Sequence, residues 1–70
     1  MTLGNRVREL RAKHQFTQEG LAKSVNVTRQ TIVALEKGSY IPSLLLAMNI
    51  AQVFSLLVEE IFYIEEDEDE

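Results

Sequence analysis

Apolar residues recur along this chain at intervals of three and four with polar residues between them, the pattern of short helices that each bury one face. From Gln18 the apolar positions are Leu21, Ala22 and Val25; from Arg29 they are Ile32, Val33 and Leu35. Thr17 and Thr28 stand just before these runs, where a hydroxyl accepts a bond from an otherwise unpaired backbone N–H, so each is a candidate N-cap. Between the runs lies Asn26, one of the few residues that tolerates the left-handed backbone a sharp inter-helix turn needs. Thr17 to Lys37 therefore reads as two helices joined by a tight turn, and the small Ala22 lets them cross closely.

The flanking segments continue the pattern. Leu3 to His14 predicts a first helix with Val7 and Leu10 inward and Asn5 inside it. Phe16, just ahead of the Thr17 cap, suits a hydrophobic staple. His14 suits a cation or hydrogen bonder at a helix C-terminus. Gly38 ends the third helix, Pro42 forbids its continuation, and Ser43 caps a fourth over Leu44 to Phe54. Its inward stripe is assigned to Leu44, Ala47, Ile50, Ala51 and Phe54, with Leu46 beside it. A short fifth helix follows at Val58 to Phe62. Phe62-Tyr63-Ile64 is aromatic and β-branched, and reads as a short strand against Met1 to Leu3 or against its own copy in a second subunit. The expected fold class is all-α, a five-helix bundle with that possible short C-terminal strand. Residues 1–64 make one domain, and 65–70, EEDEDE, are too charged to pack and read as a disordered acidic tail.

The fourth helix carries more apolar residues than one face needs. Leu45, Met48 and Val53 lie off its main stripe, and Leu56, Leu57 and Ile61 extend the excess. Such a surplus either completes a small core or forms a partner surface, for which two-fold dimers are the commonest case.

Composition narrows the function. Seventy residues lie near the lower limit for a single unstapled core. With no Cys and one His, neither a disulfide framework nor a zinc site is expected, which suits a reducing, cytoplasmic setting. No cofactor is expected. No signal sequence and no membrane-length apolar run is recognisable. The net charge of −4 argues against nucleic acid until it is divided: six of eleven acids lie in residues 65–70. Residues 1–58 hold all seven Lys and Arg against Glu9, Glu19 and Glu36, a net of +4. Glu59-Glu60 invites a catalytic reading, but adjacent helical residues point apart and no nucleophile accompanies them, so an enzyme is not expected.

The fragments NRVREL, TQEGLA, TRQTIVALEKG, YIPS and VEEIF, in that order from Asn5 to Phe62, resemble the helix-turn-helix proteins of the phage-repressor and Cro (XRE) class. Two departures stand out: Asn26 where the family usually has Gly, and Ser55-Leu56-Leu57 where it tends to have Gly, an apolar residue and a capping Ser or Thr. The resemblance implies a sequence-specific regulator of transcription that binds double-stranded DNA, a repressor occupying a two-fold operator as a homodimer, with helix three in the major groove. Thr28, Arg29 and Gln30 match base-reading positions, and Ala34 is placed to touch a thymine methyl. Gln18 matches a residue that bonds a phosphate and braces a recognition side chain such as Gln30. Lys37, Ser39, Tyr40 and Ser43 surround the turn after helix three, where side chains fix register on the DNA backbone. Arg11 and Glu36 match a structural ion pair between helices one and three. Two other readings use the same features: an antitoxin-like protein-interaction module that also binds DNA, and an acidic mimic or weak binder of nucleic acid.

Overall fold

Hydroxyl caps open the three central helices. Thr17 Oγ1 accepts from the Gly20 N–H at 2.9 Å, Thr28 Oγ1 from Thr31 at 3.3 Å, and Ser43 Oγ from Leu46 at 3.1 Å. The structure, a computed structural model, describes residues 2–66. In chain order it runs β1 (Thr2–Asn5), α1 (Val7–Lys13), α2 (Gln18–Ser24), α3 (Arg29–Lys37), α4 (Leu44–Phe54), α5 (Val58–Ile61) and β2 (Phe62–Glu65).

One device ends the first four helices. The residue after the last turn is left-handed, and the next N–H reaches back to the carbonyl five residues earlier. Gln15, Asn26, Gly38 and Ser55 take that conformation, at φ 63°, 63°, 82° and 58°. The returning bonds run Phe16 to Arg11, Val27 to Ala22, Ser39 to Ala34 and Leu56 to Ala51, at 2.9 to 3.0 Å. Asn26 thus makes the turn between α2 and α3 as its chemistry suggested. Gln15 and Ser55 do the same job without Gly or Asn, at a conformational cost. α5 opens less completely: Leu57, its N-cap, has no side-chain acceptor, and only the reverse contact forms, the Glu60 carboxylate accepting the Leu57 N–H at 2.8 Å.

The two ends of the chain form a sheet, so the fold is mostly helical but not all-α. β1 and β2 pair antiparallel with Leu3 opposite Ile64, Gly4 opposite Tyr63 and Asn5 opposite Phe62. Of the two pairings open to the C-terminal strand, the intrachain one forms. It overturns the assignment of Leu3 to Asn5 to the first helix. Gly4 is a poor helix former, and the Tyr63 ring comes so close that a Cβ at Gly4 would collide with it. Asn5 stays outside α1 and serves it: its Oδ1 accepts the Val7 N–H at 3.0 Å while its Nδ2 donates to the Leu35 carbonyl in α3 at 2.9 Å. β2 also takes Phe62 from the expected fifth helix and Glu65 from the expected tail, since Glu65 pairs with Thr2 and accepts the Thr2 hydroxyl at 3.2 Å. Of the rest of that tail, Glu66 is exposed and follows β2 outside any element, and 67–70 lie outside the described residues.

The core gathers Val7 and Leu10 of α1, Leu21, Ala22 and Val25 around α2, Ile32 and Leu35 of α3, and Leu46, Ala47, Ile50, Ala51 and Phe54 of α4, closed by Ile61 and Phe62. One expected member is missing. Leu44 is 72% exposed and Leu46 takes its place, because the first turn of α4 overhangs the core together with Ile41 and Leu45. Phe16 is half-buried, its ring edge-on to Phe54 at 6.1 Å, and His14 lies against the same ring at 5.0 Å. At the sheet end, the Arg6 side chain donates to the Glu60 carbonyl at 3.0 Å and pairs with Glu9 at 3.1 Å.

Candidate nucleic-acid interface

α3 presents two faces because its sequence alternates them. Ile32 and Leu35 are fully buried, while Arg29, Gln30 and Lys37 are exposed, with Val33 and Ala34 half-buried between them. At 100° per residue, Arg29, Gln30, Val33, Ala34 and Lys37 form one outward stripe. Arg29 and Gln30 lie in the first turn. Thr28, just ahead, is exposed, but its hydroxyl already accepts the Thr31 N–H and lies 3.1 Å from the Thr31 hydroxyl. That oxygen is committed first to capping, and only its remaining hydrogen-bond capacity is open to a ligand.

Beneath the stripe, a polar network joins three helices. Arg11 of α1 meets Glu36 of α3 through Nε at 2.7 Å and Nη2 at 3.4 Å, and its Nη1 donates to the Phe16 carbonyl at 3.0 Å. Their side chains are 18% and 5% exposed, so this is a near-buried pair. Gln18 of α2 joins it, donating from Nε2 to Glu36 Oε1 at 3.2 Å. In this arrangement Gln18 braces Glu36 rather than a base-reading side chain. The pair's worth is positional: desolvation offsets much of the attraction, but a shift of α1 against α3 would leave charges unmatched.

Above the network lies an open cleft of about 410 Å³, lined by Arg8, Arg11, Thr17, Gln18, Val33, Glu36 and Lys37. Arg11 balances Glu36, which leaves Arg8 and Lys37 as the outward charges on its walls. Arg8 escaped the sequence reading, although its i, i+3 spacing from Arg11 puts both on one side of α1. Val33, an apolar residue whose spacing also puts it on the outward face of α3, had no site role assigned.

Around the turn after α3 the structure places Lys37, Ser39, Tyr40 and Ser43 at the surface. Two of the three hydroxyl-bearing side chains are engaged: Ser39 Oγ donates to the Ala34 carbonyl at 3.3 Å, and Ser43 caps α4. The apolar surplus divides. Leu45, Met48 and Leu57 are exposed, at 69%, 51% and 62%, whereas Val53 and Leu56 are half-buried against the core. Between Lys37 and Glu59 there is no charged residue, so the exposed face of α4, with Leu44, Leu45 and Met48, is uncharged. Among the described residues no helix is long and apolar enough to cross a membrane, and no group of His, Cys, Asp or Glu is clustered to hold a metal.

Comparison with known proteins places this geometry. The Helix-turn-helix family model matches residues 7–61. An HTH-type transcriptional regulator of Bacillus subtilis, YgzD, is 52% identical over 63 residues, 90% of this chain and 96% of its own. A counterpart in Methanocaldococcus jannaschii is 53% identical over 64 residues, 91% of this chain and 97% of its own. Among solved structures, the restriction-modification controller protein C.AhdI from Aeromonas hydrophila is similar with a TM-score of 0.73 and 29% identity, covering 79% of this chain and 83% of that one. A Bacteroides fragilis protein named as DNA-binding shares the fold at a TM-score of 0.79 and 21% identity, over 89% of this chain and 100% of that one.

Proposed function

This chain belongs to the XRE-type helix-turn-helix family of DNA-binding transcriptional regulators, and from that premise we propose that it is a repressor which occupies a two-fold operator as a homodimer, α3 of each copy lying in the major groove. The observation that carries the reading is the outward stripe of α3, which combines two side chains able to fork onto base edges, Arg29 and Gln30, with a cation at its far end, Lys37. In this reading Arg29, Gln30 and Ala34 face bases, with Thr28 contributing from the cap. Gln18, Lys37, Ser39, Tyr40 and Ser43 meet phosphates, and Arg8 joins them from α1. The second copy packs on the uncharged face of α4, through Leu45, Met48 and Leu57 with Leu44 beside them. An interface core depleted of charge is what protein partners share and what nucleic acid does not favour.

Selecting duplexes from a random pool yields the operator, and two variants then separate reading from gripping. Gln30→Ala loses a bidentate contact of roughly 1–3 kcal/mol on the selected site and nothing on random duplex. Lys37→Ala weakens both alike and makes the salt dependence shallower by about one phosphate contact. Equal losses from Gln30→Ala on both duplexes would end the assignment of α3. Leu45→Glu, at an exposed position, abolishes the dimer and operator binding together, since one half-site alone holds too little affinity. A wild-type protein that sediments as a monomer at micromolar concentration would refute the assembly.

A further inference from the structure

Val33 stands apart from every other apolar side chain of its kind. Among the described residues, Leu3, Phe16, Val27, Val53, Leu56 and Val58 are half-buried and pack against the core. Val33 is half-buried too, but it is the one Val, Leu, Ile or Phe of that class that does not. It lines the cleft beside Gln18 and Lys37. On α3 it sits midway along the outward stripe, one turn after Arg29 and one turn before Lys37, with Gln30 three residues back.

A branched aliphatic in that position contributes nothing to the core and lowers helix propensity slightly. Its methyl groups can gain only by losing water against another apolar group. The base edges of the major groove offer one such group, the C5-methyl of thymine. We propose that Val33 is a specificity-determining residue that reads a C5-methyl on a pyrimidine of the half-site. This rests on the placement of α3 in the major groove. It extends that reading from hydrogen-bond donors to an apolar contact and makes the protein a sensor of a pyrimidine methyl group. The neighbouring Ala34, on the other flank of the stripe, has a single methyl, whereas Val33 has two.

The test removes the methyl without touching any hydrogen bond. In the selected operator each thymine is replaced in turn by uracil, and binding is measured for the wild type, Val33→Ala and Ala34→Ser. Burying one methyl is worth about a fourfold change in affinity. The expected result is one thymine per half-site whose replacement weakens the wild type about fourfold and leaves Val33→Ala unaffected. At that position 5-methylcytosine, paired with guanine, binds Val33→Ala and the wild type with a difference that unmethylated cytosine abolishes. Val33 is off the core and alanine is the better helix former, so circular dichroism of the variant should match the wild type. Indifference of the wild type to every uracil overturns the inference while specific binding keeps the parent reading intact. A uracil penalty that persists in Val33→Ala and disappears in Ala34→Ser assigns the contact to Ala34 and overturns it equally. Failure to select any duplex overturns both.

Discussion

Replacing Arg11 with methionine removes the guanidinium that holds Glu36 and keeps most of the side-chain volume. Glu36 is 5% exposed and accepts from Arg11 Nε at 2.7 Å, Arg11 Nη2 at 3.4 Å and Gln18 Nε2 at 3.2 Å. After the substitution, one amide donor faces a carboxylate that little water reaches, and the Phe16 carbonyl loses its partner as well. Breaking a buried pair from one side costs roughly 3–5 kcal/mol. Arg11 is 18% exposed, so some solvation returns and the expected loss lies at the lower end, about 3 kcal/mol. A domain of this size has about 4–10 kcal/mol in all. The melting temperature should therefore fall by roughly 12–24 °C. Urea denaturation at neutral pH, repeated with salt up to molar concentration, measures the cost. A pair so little exposed should be almost insensitive to salt. The double variant Arg11→Met, Glu36→Leu removes both charges and should recover most of the loss, because no buried charge is left unpaired. A loss below about 1 kcal/mol, or a double variant as unstable as the two single losses added, would refute the argument that this contact is a buried, coupled pair.

Three further outcomes are expected. Ser55→Gly relieves a left-handed backbone at φ 58° and should gain about 0.5–1 kcal/mol, a rise of a few degrees in melting temperature; no rise would show that the turn after α4 bears no strain. Arg6 donates to Glu9 and its charge lies beside it, which holds the Glu9 carboxyl below its ordinary value. The resulting stability is present above that ordinary value and is lost as pH falls through the lowered one, so the small melting difference between wild type and Glu9→Gln should vanish in acid and shrink in salt. Deleting residues 66–70, which spares Glu65 of β2, should raise affinity for random duplex at low salt, and the gain should fade once charges beyond ~8 Å are screened; a gain that persists at physiological salt would refute an electrostatic origin.

How far the fold could be read from the residues depended on whether one physical preference acted alone. Asn26 was legible because a tight turn and a side chain tolerant of left-handed backbone coincide there. Gln15 and Ser55 take the same conformation without any such preference, and it is the bonds from Phe16 to Arg11 and from Leu56 to Ala51 that fix them. β1 was hidden because Leu3, Val7 and Leu10 satisfy helical spacing as well as a strand followed by a helix. Gly4 and Asn5 held the contrary signal: the first is a poor helix former and the second is a natural cap. In Ser43-Leu44-Leu45-Leu46 three leucines offered three registers, and only the direction in which α4 enters the core chose Leu46. On the candidate site, the stripe of α3 followed from helical geometry alone. The spacing of Arg8 from Arg11 held a local signal for its side of α1, but the cleft it lines, the bond from Gln18 to Glu36 and the isolation of Val33 depend on how α1, α2 and α3 meet, which no local pattern encodes.

Charge separates the two surfaces that the proposed function needs. The cleft and the α3 stripe together carry Arg8, Arg29 and Lys37 outward, so two copies facing one another there would repel, and a polyanion is the natural occupant. The face of α4 is the opposite case. A two-fold axis brings each residue near its own copy or its neighbour's, and any charge on such a patch meets a like charge nearby. No charge occurs between Lys37 and Glu59. Leu44 and Met48, one turn apart, and Leu45 beside them can therefore meet a second copy with only water to displace. Because these residues contribute little to the core, substituting them tests assembly without unfolding the subunit. Val53 and Leu56, half-buried against the core, do not offer that separation. A charged residue at Leu45 that left both assembly and stability unchanged would show that this face is not where the copies meet.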